Sequence, residues 1–394
     1  MVKLNILFDV TKLYKTDDQG FYRTGIFWVT YNLLKKFLND DAYNVTLYSE
    51  YTYPKDNFDT VDIDIQNVDY IASKYIINLG NVKKQIENKK FNAENYDLYF
   101  NCAFFSKLDN DVIPQFYILH DAIPMILSDK YPKQFVDNFK DFYSSLSNKT
   151  NCFCISQSCK NDFIKIFPNL KKDKMTLISN ASSQEFKPLK NPDDFEIIKR
   201  KYNIKFTKSD KYIFTISNLA DKKKNLGFTI KNFFNFIKTN NINNLYFVLA
   251  GYGKDYLIDE IKQISQKDYE QYKDKLIFLG YLPDNDVNIF YSNSLYFSFI
   301  SLYEGFGLPL LEAMQAGTPI LTSNTSSIPE VVLDAAIKIS PNNDAECIKA
   351  MDILYNNEQI RKELIQKGYN RKNDFSWEKT YEIIDNKIKN VLKI

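Results

Sequence analysis

The fold is decided by the stretch Glu304-Gly305-Phe306-Gly307-Leu308-Pro309-Leu310-Leu311-Glu312. Before it, the apolar residues 295–300 predict a short buried strand. After it, an apolar run follows Pro309, which a helix tolerates in its first turn, so a helix is expected there. Gly317 ends that helix, and residues 320–322 predict the next strand. Strand, loop and helix in this order are typical of an α/β protein.

The stretch holds two carboxylates, Glu304 and Glu312, on either side of a glycine-rich turn. We expect Glu304 in the loop from strand to helix and Glu312 about one turn inside the helix. The free backbone amides between them, at the positive end of the helix dipole, favour an anion. Carboxylates accept hydrogen bonds from sugar hydroxyls. The sequence therefore predicts a site for a phosphorylated sugar. The alternative is an ordinary loop whose glutamate only complements the dipole.

As a whole, the stretch closely resembles the paired-glutamate signature of retaining nucleotide-sugar glycosyltransferases of glycosyltransferase family 4. That resemblance implies an α/β protein of the GT-B fold, with two Rossmann-like doubly wound domains facing a central cleft. It implies that Glu304 holds the donor sugar as a catalytic residue and that Glu312 holds the nucleotide ribose. It assigns the remaining donor contacts of this turn to four residues: Gly305, Phe306, Gly307 and Leu308.

The composition is that of a two-domain enzyme with balanced charge. The 394 residues exceed what one hydrophobic core usually covers. The 51 basic and 49 acidic residues leave a net charge of +2, too balanced for nucleic acid as the main partner. No apolar run approaches the ~18–20 residues that span a bilayer, and the first residues predict a strand rather than a signal peptide. Five cysteines, an odd count, favour reduced thiols and a cytoplasmic location.

Neither a metal nor a cofactor is expected. Cys152, Cys154 and Cys159 are close in sequence, but no fourth ligand stands beside them, so buried thiols are favoured over a metal site. Asp62 and Asp64 lie in a polar segment rather than directly after a strand. The charge on a departing diphosphate is therefore expected to be stabilised by lysines and helix-end amides instead.

Two halves of alternating strands and helices predict two domains. A polar, proline-rich stretch at residues 186–194 is the best linker between them. The prediction is an N-terminal Rossmann-like acceptor domain over residues 1–190 and a C-terminal Rossmann-like donor domain over residues 191–375. A final helical segment begins at Trp377, and the GT-B resemblance implies that residues 376–394 pack back on the first domain.

A run of three lysines and an asparagine, residues 222–225, follows a predicted strand and opens a helix with one apolar face. Asn225 is predicted to cap this helix, so a bound anion would offset the unfavourable position of the lysines at its N-terminus. A solvated basic loop is the alternative. The resemblance implies that Lys224 clamps the donor diphosphate. Asn218 stands where the family has an arginine. Either the clamp is weaker or that role passes to one of two neighbours: Lys222 or Lys223.

His120 is the only histidine, and it follows the predicted strand 116–119. Open α/β sheets form their ligand crevice at such strand ends, although a lone histidine is often just a satisfied polar group. The resemblance implies that His120 lies beside the donor sugar as a catalytic residue. It assigns Gly25, in an N-terminal glycine loop, to the donor phosphate. It assigns two residues to the acceptor side: Thr24 and Asp121.

The resemblance extends the donor site to three residues that follow strands of the second half: Gly251, Tyr281 and Leu282. It implies a retaining, metal-independent transfer of a hexose, with mannose favoured, from GDP-mannose or a UDP-sugar. The acceptor it implies is a glycan or a lipid-linked glycan. Two alternatives stay open. One is a non-catalytic GT-B partner subunit that binds nucleotide sugar or glycan, and the other is a GT-B epimerase.

Residues 74–91 interleave lysines with apolar residues. On a helix, such a stretch can lay apolar side chains into a lipid interface while the lysines meet anionic headgroups. Peripheral contact with the inner face of the membrane is therefore one hypothesis, and a solvated basic helix is the other. The hypothesis depends on four lysines: Lys83, Lys84, Lys89 and Lys90.

Overall fold

The computed structural model describes residues 3–13, 25–49, 69–72, 75–78, 86–87, 92–108, 112–183, 185–189 and 193–394, with only the backbone described between 69 and 87. The chain divides into two compact units. The first joins Met1–Asn180 to Trp377–Ile394, and the second is Ala181–Ser376.

The second unit begins ahead of the predicted boundary at residue 190 because the preceding segment packs on it. The ring of Phe186 is buried edge-on against Tyr291, with centroids 6.0 Å apart. The backbone N–H of Lys187 donates to Asn288 Oδ1 over 3.0 Å. The first two residues of the stretch proposed as a linker are therefore held by side chains of the second unit.

The described residues of the first unit include a nine-stranded sheet, ordered β5-β4-β3-β2-β1-β6-β7-β8-β9. Its pairs are parallel except β3 with β4 and β4 with β5. Strands β6, β7 and β8 are buried along their whole length, as parallel strands covered on both faces are. The strands are β1 Leu4–Asp9, β2 Tyr43–Ser49, β3 Asp69–Ala72, β4 Tyr75–Asn78, β5 Ile86–Glu87, β6 Leu98–Asn101, β7 Gln115–Leu119, β8 Asn151–Cys154 and β9 Met175–Leu177.

Strands β4 and β5 show that the helix expected over residues 74–91 is wrong where the chain is described. Tyr75, Ile76 and Ile77 are aromatic and β-branched, and such residues suit a pleated strand better than a helix. The register of β4 against β3 pairs Ile76 with Ile71. The four lysines of the membrane hypothesis lie outside the described residues.

Aromatic packing joins the first helix of this unit to its sheet. The ring of Phe37 meets Phe8 at 5.7 Å and Phe100 at 5.2 Å. All three side chains are fully buried, so they anchor the helix over strands β1 and β6. The helices before the unit boundary are α1 Gly25–Leu38, α2 Ile123–Ile126, α3 Lys133–Ser144 and α4 Gln157–Ile166.

The second unit has a six-stranded, fully parallel sheet, ordered β12-β11-β10-β13-β14-β15. Its strands are β10 Lys211–Ile216, β11 Leu245–Ala250, β12 Leu276–Gly280, β13 Tyr296–Phe299, β14 Ile320–Ser323 and β15 Ile337–Ile339. Its helices are α5 Asp193–Lys201, α6 Leu226–Thr239, α7 Lys254–Tyr272, α8 Asp284–Asn293, α9 Leu308–Ala316, α10 Ile328–Val332, α11 Asp344–Asn356 and α12 Glu358–Arg371.

The strand order reverses between β10 and β13, because the chain adds β11 and β12 on one side and β14 and β15 on the other. Doubly wound sheets bind ligands outside the carboxyl ends of the strands at such a switch point. The loops that leave β10 and β13 carry the lysine run and the paired-glutamate stretch. The fold therefore brings the two most informative stretches of the sequence to one edge.

The last helix, α13 Trp377–Leu392, belongs to the first unit. Its Asp385 accepts a hydrogen bond from the hydroxyl of Tyr43 over 2.7 Å, and its Tyr381 donates to Asp40 over 2.9 Å. The predicted α/β class, with two Rossmann-like doubly wound units, is confirmed. In the part of the chain that the structure describes, no helix combines the length and apolarity needed to cross a bilayer.

Candidate active site

Two loops meet at the switch point of the second unit. The backbone N–H of Leu302, after β13, donates to the carbonyl of Lys223, after β10, over 2.7 Å. Beside this bond, Lys224 Nζ lies 2.6 Å from Glu304 Oε1. The two side chains are only 15% and 9% exposed, so this is a largely buried ion pair. The structure thus joins two residues predicted to hold different parts of one ligand.

The lysine loop has its shape because of local caps. Lys222–Lys224 form a single turn of 3-10 helix, and Asp221 accepts from the N–H of Lys223 over 3.1 Å. Asn225 ends the turn at φ +56°, a left-handed conformation that asparagine tolerates. Asn225 is the N-cap residue of α6, as predicted, but its side chain makes no capping hydrogen bond; its amide donates to the carbonyl of Pro341 instead. The lysines therefore stand on a turn of their own, ahead of the helix.

Glu304 is held charged within a buried site. Burial raises the pKa of its carboxyl, but Lys224 and Lys223 together outweigh burial, so that the pKa lies below its usual range. Ser326 accepts from the backbone N–H of Glu304 over 2.9 Å, and Ser327 donates to its carbonyl over 2.9 Å. The backbone and the charge of Glu304 are thus both fixed.

The glycine-rich turn, residues 305–308, is buried and leads directly into α9. Gly307 lies at φ +97° at the N-cap of α9, and a Cβ there would come within 2.9 Å of Leu310. This conformation is strained for any other residue. The side chains of Phe306 and Leu308 are buried, so these residues can reach a ligand only through their backbone N–H groups. Such amides at a helix start suit an anion.

The pKa of Glu312 is raised, whereas the pKa of Glu304 is lowered. Burial raises the pKa of Glu312 to about 7; a hydrogen bond from Tyr291 opposes this shift, and the charge of Asp284 adds to it. The Tyr291 hydroxyl lies 3.1 Å from Glu312 Oε2. Asp284 is the first residue of α8, just after the turn that follows β12. Glu312 therefore lies towards the β12 side of the site.

The turns after β11 and β12 present a pair of exposed tyrosines. The rings of Tyr252 and Tyr281 are stacked, with centroids 5.9 Å apart and planes at 16°. They are 39% and 42% exposed. Gly251 lies at φ +121°, and a Cβ there would overlap the carbonyl oxygen of Ser217, so only glycine fits where the β10 and β11 turns touch.

The side chains of two predicted donor residues, Leu282 and Asn218, are engaged within the protein. Leu282 is only 2% exposed, so its side chain belongs to the core. Asn218 is exposed, and its side-chain oxygen accepts from the backbone N–H of Ala220 over 3.1 Å. Lys222 is also exposed, whereas Lys223 lies close enough to Glu304 to lower its pKa. Of the two lysines considered as substitutes for the family arginine, Lys223 is the one beside the buried pair.

In the first unit, His120 is buried at the end of β7. Its Nε2 lies 2.8 Å from the carbonyl of Cys102. A carbonyl only accepts, so Nε2 carries the proton and Nδ1 keeps its lone pair. Burial lowers the pKa of His120 to about 4; the bond to Cys102 opposes this shift, and the charge of Lys12 adds to it. The imidazole is therefore neutral at physiological pH.

The other predicted residues of the first unit are near the ends of its elements. Asp121 follows His120 and accepts from the backbone N–H of Ile123 over 3.0 Å. Gly25 is the first residue of α1 and is exposed. Thr24 lies outside the described residues.

Sequence reasoning missed one group at this end of the sheet. Asp9, the last residue of β1, is fully buried, and burial raises its pKa against the hydrogen bonds it accepts. A charged residue that ends a buried strand was the available signal. Its partners come from β6 and the loop after it, which the sequence does not connect to β1.

The cysteines are buried free thiols. Within the described ranges, no three or more histidine, cysteine, aspartate or glutamate side chains are grouped so that they could hold a metal ion. Asp62 and Asp64 are outside those ranges.

Residues 195–371 match the family described as glycosyl transferases group 1. That match spans nearly all of the second unit, including the lysine run and both glutamates. This match confirms the resemblance to glycosyltransferases that was drawn from the sequence.

Known proteins share both sequence and fold with the chain. The serotype-specific mannosyltransferase WbdA of Escherichia coli is 27% identical over 268 residues, which are 67% of this chain but only 32% of that protein. The matched part thus spans about a third of that relative's length.

Two solved structures resemble nearly the whole chain. Sucrose-phosphate synthase of Thermosynechococcus elongatus has a TM-score of 0.72 at 15% identity, covering 99% of this chain and 100% of that one. The Anabaena protein HepE, solved with UDP and glucose, has a TM-score of 0.69 at 13% identity, covering 98% and 99%. This likeness confirms the GT-B fold.

Proposed function

We propose that this protein is a retaining hexosyltransferase that moves a sugar, with mannose favoured, from a nucleotide diphosphate sugar to a glycan or lipid-linked glycan. The observation that carries the proposal is the buried pair of Lys224 and Glu304 at the switch point. A cation suited to a diphosphate and a carboxylate suited to sugar hydroxyls lie 2.6 Å apart there. The phosphate of a sugar phosphate would bind at Lys224, and its sugar would bind at Glu304.

The order of groups along the sheet edge fits the parts of such a donor. The exposed pair Tyr252 and Tyr281, after β11 and β12, offers a flat surface for the base. Glu312 lies towards that side and would accept hydrogen bonds from the ribose. The lysines after β10 and the amides at the start of α9 would hold the diphosphate. Glu304 would then hold the transferred sugar.

Donor binding would exchange partners within the buried pair. Without a ligand, Lys224 and Glu304 neutralise each other. A diphosphate would draw the Lys224 amine towards its oxygens, and hydroxyls of the sugar would satisfy Glu304. As the bond to the sugar breaks, Lys224, Lys223 and the helix-end amides would stabilise the charge growing on the diphosphate. No metal is needed in this scheme.

Retention follows the family resemblance rather than spacing in this chain. The acceptor would attack on the face from which the diphosphate leaves, and the departing phosphate would take the acceptor proton. His120 would accept a hydrogen bond from a hydroxyl of the transferred sugar through Nδ1, since its Nε2 is occupied. Asp121, Thr24 and Gly25 are assigned to the acceptor and phosphate on the same resemblance.

The similarity to WbdA, a mannosyltransferase, supports mannose as the transferred sugar. HepE, which has the same fold, was solved with UDP, so a UDP-sugar is the competing donor. The location we propose is the cytoplasm, at the inner face of the membrane if the acceptor is lipid-linked.

One observation favours a second candidate, a partner subunit that binds nucleotide sugar without turnover. The position of the family arginine is taken by Asn218, which carries no charge and bonds to the backbone of its own turn. Binding without transfer would then be the whole activity.

The test is a transfer assay with purified protein, a panel of GDP- and UDP-sugars and lipid-linked or free oligosaccharide acceptors. We expect a product with the anomeric configuration of the donor sugar, formed equally with and without EDTA. Glu304→Gln should slow its formation by more than about tenfold, while Glu358→Gln, which breaks the exposed pair with Lys362, should leave the rate unchanged. Donor binding without product from the unaltered protein would favour the partner subunit. Loss of product with EDTA, restored by Mg²⁺, would contradict metal independence.

A further inference from the structure

A buried hydrogen-bond network lies at the carboxyl end of β1 and β6 in the first unit. Asp9 Oδ2 accepts from the hydroxyl of Tyr99 over 2.7 Å and from the hydroxyl of Ser106. Asp9 Oδ1 accepts from the backbone N–H of Thr11 over 2.9 Å. A buried carboxylate with this many donors fixes the groups that surround it.

The network holds the loop that follows β6 at both ends. At one end, Asn101 Oδ1 accepts from the backbone N–H of Ala103 over 2.7 Å. At the other, Asn101 Nδ2 donates to the carbonyl of Ser106 over 2.9 Å, while the Ser106 hydroxyl reaches Asp9. Asn101 also donates to the Tyr99 hydroxyl over 2.9 Å. The loop from 101 to 106 is thus tied to Asp9 by the side chains of Tyr99 and Asn101, in β6, and of Ser106, in the loop.

The backbone of this loop is strained. Phe105 lies at φ +62°, in the left-handed region that a bulky residue rarely adopts. Such a conformation persists only where surrounding interactions overdetermine it, and strain of this kind is concentrated near functional sites. The Asp9 network supplies those interactions on the polar side of the loop. On the other side, the Phe105 ring meets Phe135 and Phe139 with centroids 5.6 and 6.1 Å away.

The constrained loop makes two contacts with His120. The carbonyl of Cys102 lies 2.8 Å from His120 Nε2. The ring of Phe104 packs against the imidazole with centroids 5.5 Å apart and planes at 68°. Cys102 and Phe104 both stand between Asn101 and Ser106, so the network sets where they lie. The position and tautomer of His120 therefore depend on a loop that Asp9 holds.

We propose that Asp9 is a positioning residue: through Ser106 and Asn101 it holds the Cys102 carbonyl against the Nε2–H of His120 and so keeps Nδ1 free to accept a hydrogen bond. That a substrate hydroxyl uses Nδ1 rests on the proposed function. The tautomer itself does not, since it follows from contacts within the first unit. A network that only stabilised the fold would leave the imidazole unchanged in any variant that still folds.

His120 is the only histidine, which makes the tautomer directly measurable. Protein labelled with nitrogen-15 histidine gives one pair of imidazole nitrogen signals by NMR. We expect the unaltered protein to show one tautomer, with Nε2 protonated and Nδ1 unprotonated. In Asp9→Asn and in Ser106→Ala, a second tautomer should appear, with averaged nitrogen shifts and faster exchange of the Nε2 proton. Asp97→Asn is the control, because Asp97 caps the backbone of Asn5 in an exposed position on the same sheet.

Activity adds a second readout. If His120 acts as proposed, both variants should lose about 10²-fold in kcat, the scale of a misplaced reacting group, with little change in KM for the donor. If His120→Asn is fully active, the role of His120 in transfer fails, and the nitrogen signals still decide the role of Asp9. A single unchanged Nε2–H tautomer in folded Asp9→Asn and Ser106→Ala would overturn the proposal. Ser106→Ala removes only one hydroxyl and keeps the test available if Asp9→Asn does not fold.

Discussion

Glu304 and Glu312 belong to the same short stretch and are both largely buried, yet their pKa values are shifted in opposite directions. Two lysines keep the pKa of Glu304 low in spite of burial. Glu312 has only a tyrosine hydroxyl and a nearby aspartate, and its pKa rises to about 7. The same residue type is thus a fixed charge at one position and a partly protonated group near pH 7 at the other. The difference comes from whether a cation shares the site, and it suits Glu304 to developing charge and Glu312 to uncharged hydroxyls.

The largest expected effect comes from removing the cation. Lys224→Ala leaves the Glu304 carboxylate buried without its partner, which typically costs about 3–5 kcal/mol in unfolding free energy. The double variant Lys224→Ala/Glu304→Gln should recover much of that loss, because no charge is left unpaired. Urea unfolding of both variants measures the difference.

The matched control is Lys362→Ala, which breaks a pair of similar length, 2.7 Å, between side chains that are 67% and 69% exposed. That change should leave the unfolding free energy nearly unchanged, because water screens an exposed pair. A Lys224→Ala variant as stable as the control would mean that the pair at the switch point is not buried in solution.

The raised pKa of Glu312 should make the stability of the protein depend on pH. Its pKa is about 7 in the folded protein against an ordinary value of 4.5, so the folded state holds the proton longer and loses stability as pH rises between those values. Glu312→Gln cannot lose that proton. The stability of Glu312→Gln relative to the unaltered protein should therefore rise by about 2.5 kcal/mol from pH 5 to pH 8.

Chemical unfolding at the two pH values measures this change, with the exposed Glu363→Gln as the control. A stability difference that stays flat with pH would show that Glu312 ionises normally and that the contrast with Glu304 is not electrostatic.

Features set by neighbouring residues could be predicted from the sequence, whereas contacts between residues far apart in the sequence could not. The strand, loop and helix around Glu304 and the apolar face of α6 follow from local periodicity, and both were predicted. The pairing of Lys224 with Glu304 joins residues 80 positions apart, which no local pattern contains. Asn225 was predicted to cap its helix, but a carbonyl 116 residues away takes its side chain.

The first unit shows the same limit more strongly. Asp9 meets Ser106 across 97 residues, so a local pattern can mark Asp9 as a charge that ends a strand but cannot identify its partners. Strands β3, β4 and β5 are short and lie among polar residues, where apolar alternation is too weak to predict pairing.

A smaller effect separates the two lysines beside the buried pair. Lys223 reaches Glu304 electrostatically, and Lys222 is exposed. Lys223→Ala should weaken binding of GDP or UDP by about 1.5–3 kcal/mol, the range for hydrogen bonds to charged groups. Lys222→Ala should weaken it by less than about 1 kcal/mol. Calorimetry with both nucleotides decides this, and equal losses in the two variants would remove the distinction.

The most direct test of the central claim compares turnover in Glu304→Gln and Glu312→Gln with a transferable donor. Glu304 acts where charge develops, so Glu304→Gln should lower kcat by more than about tenfold. Glu312 makes a contact of equal strength before and during the reaction, so Glu312→Gln should mainly raise KM for the donor. Small and equal effects of both substitutions on kcat would contradict the claim.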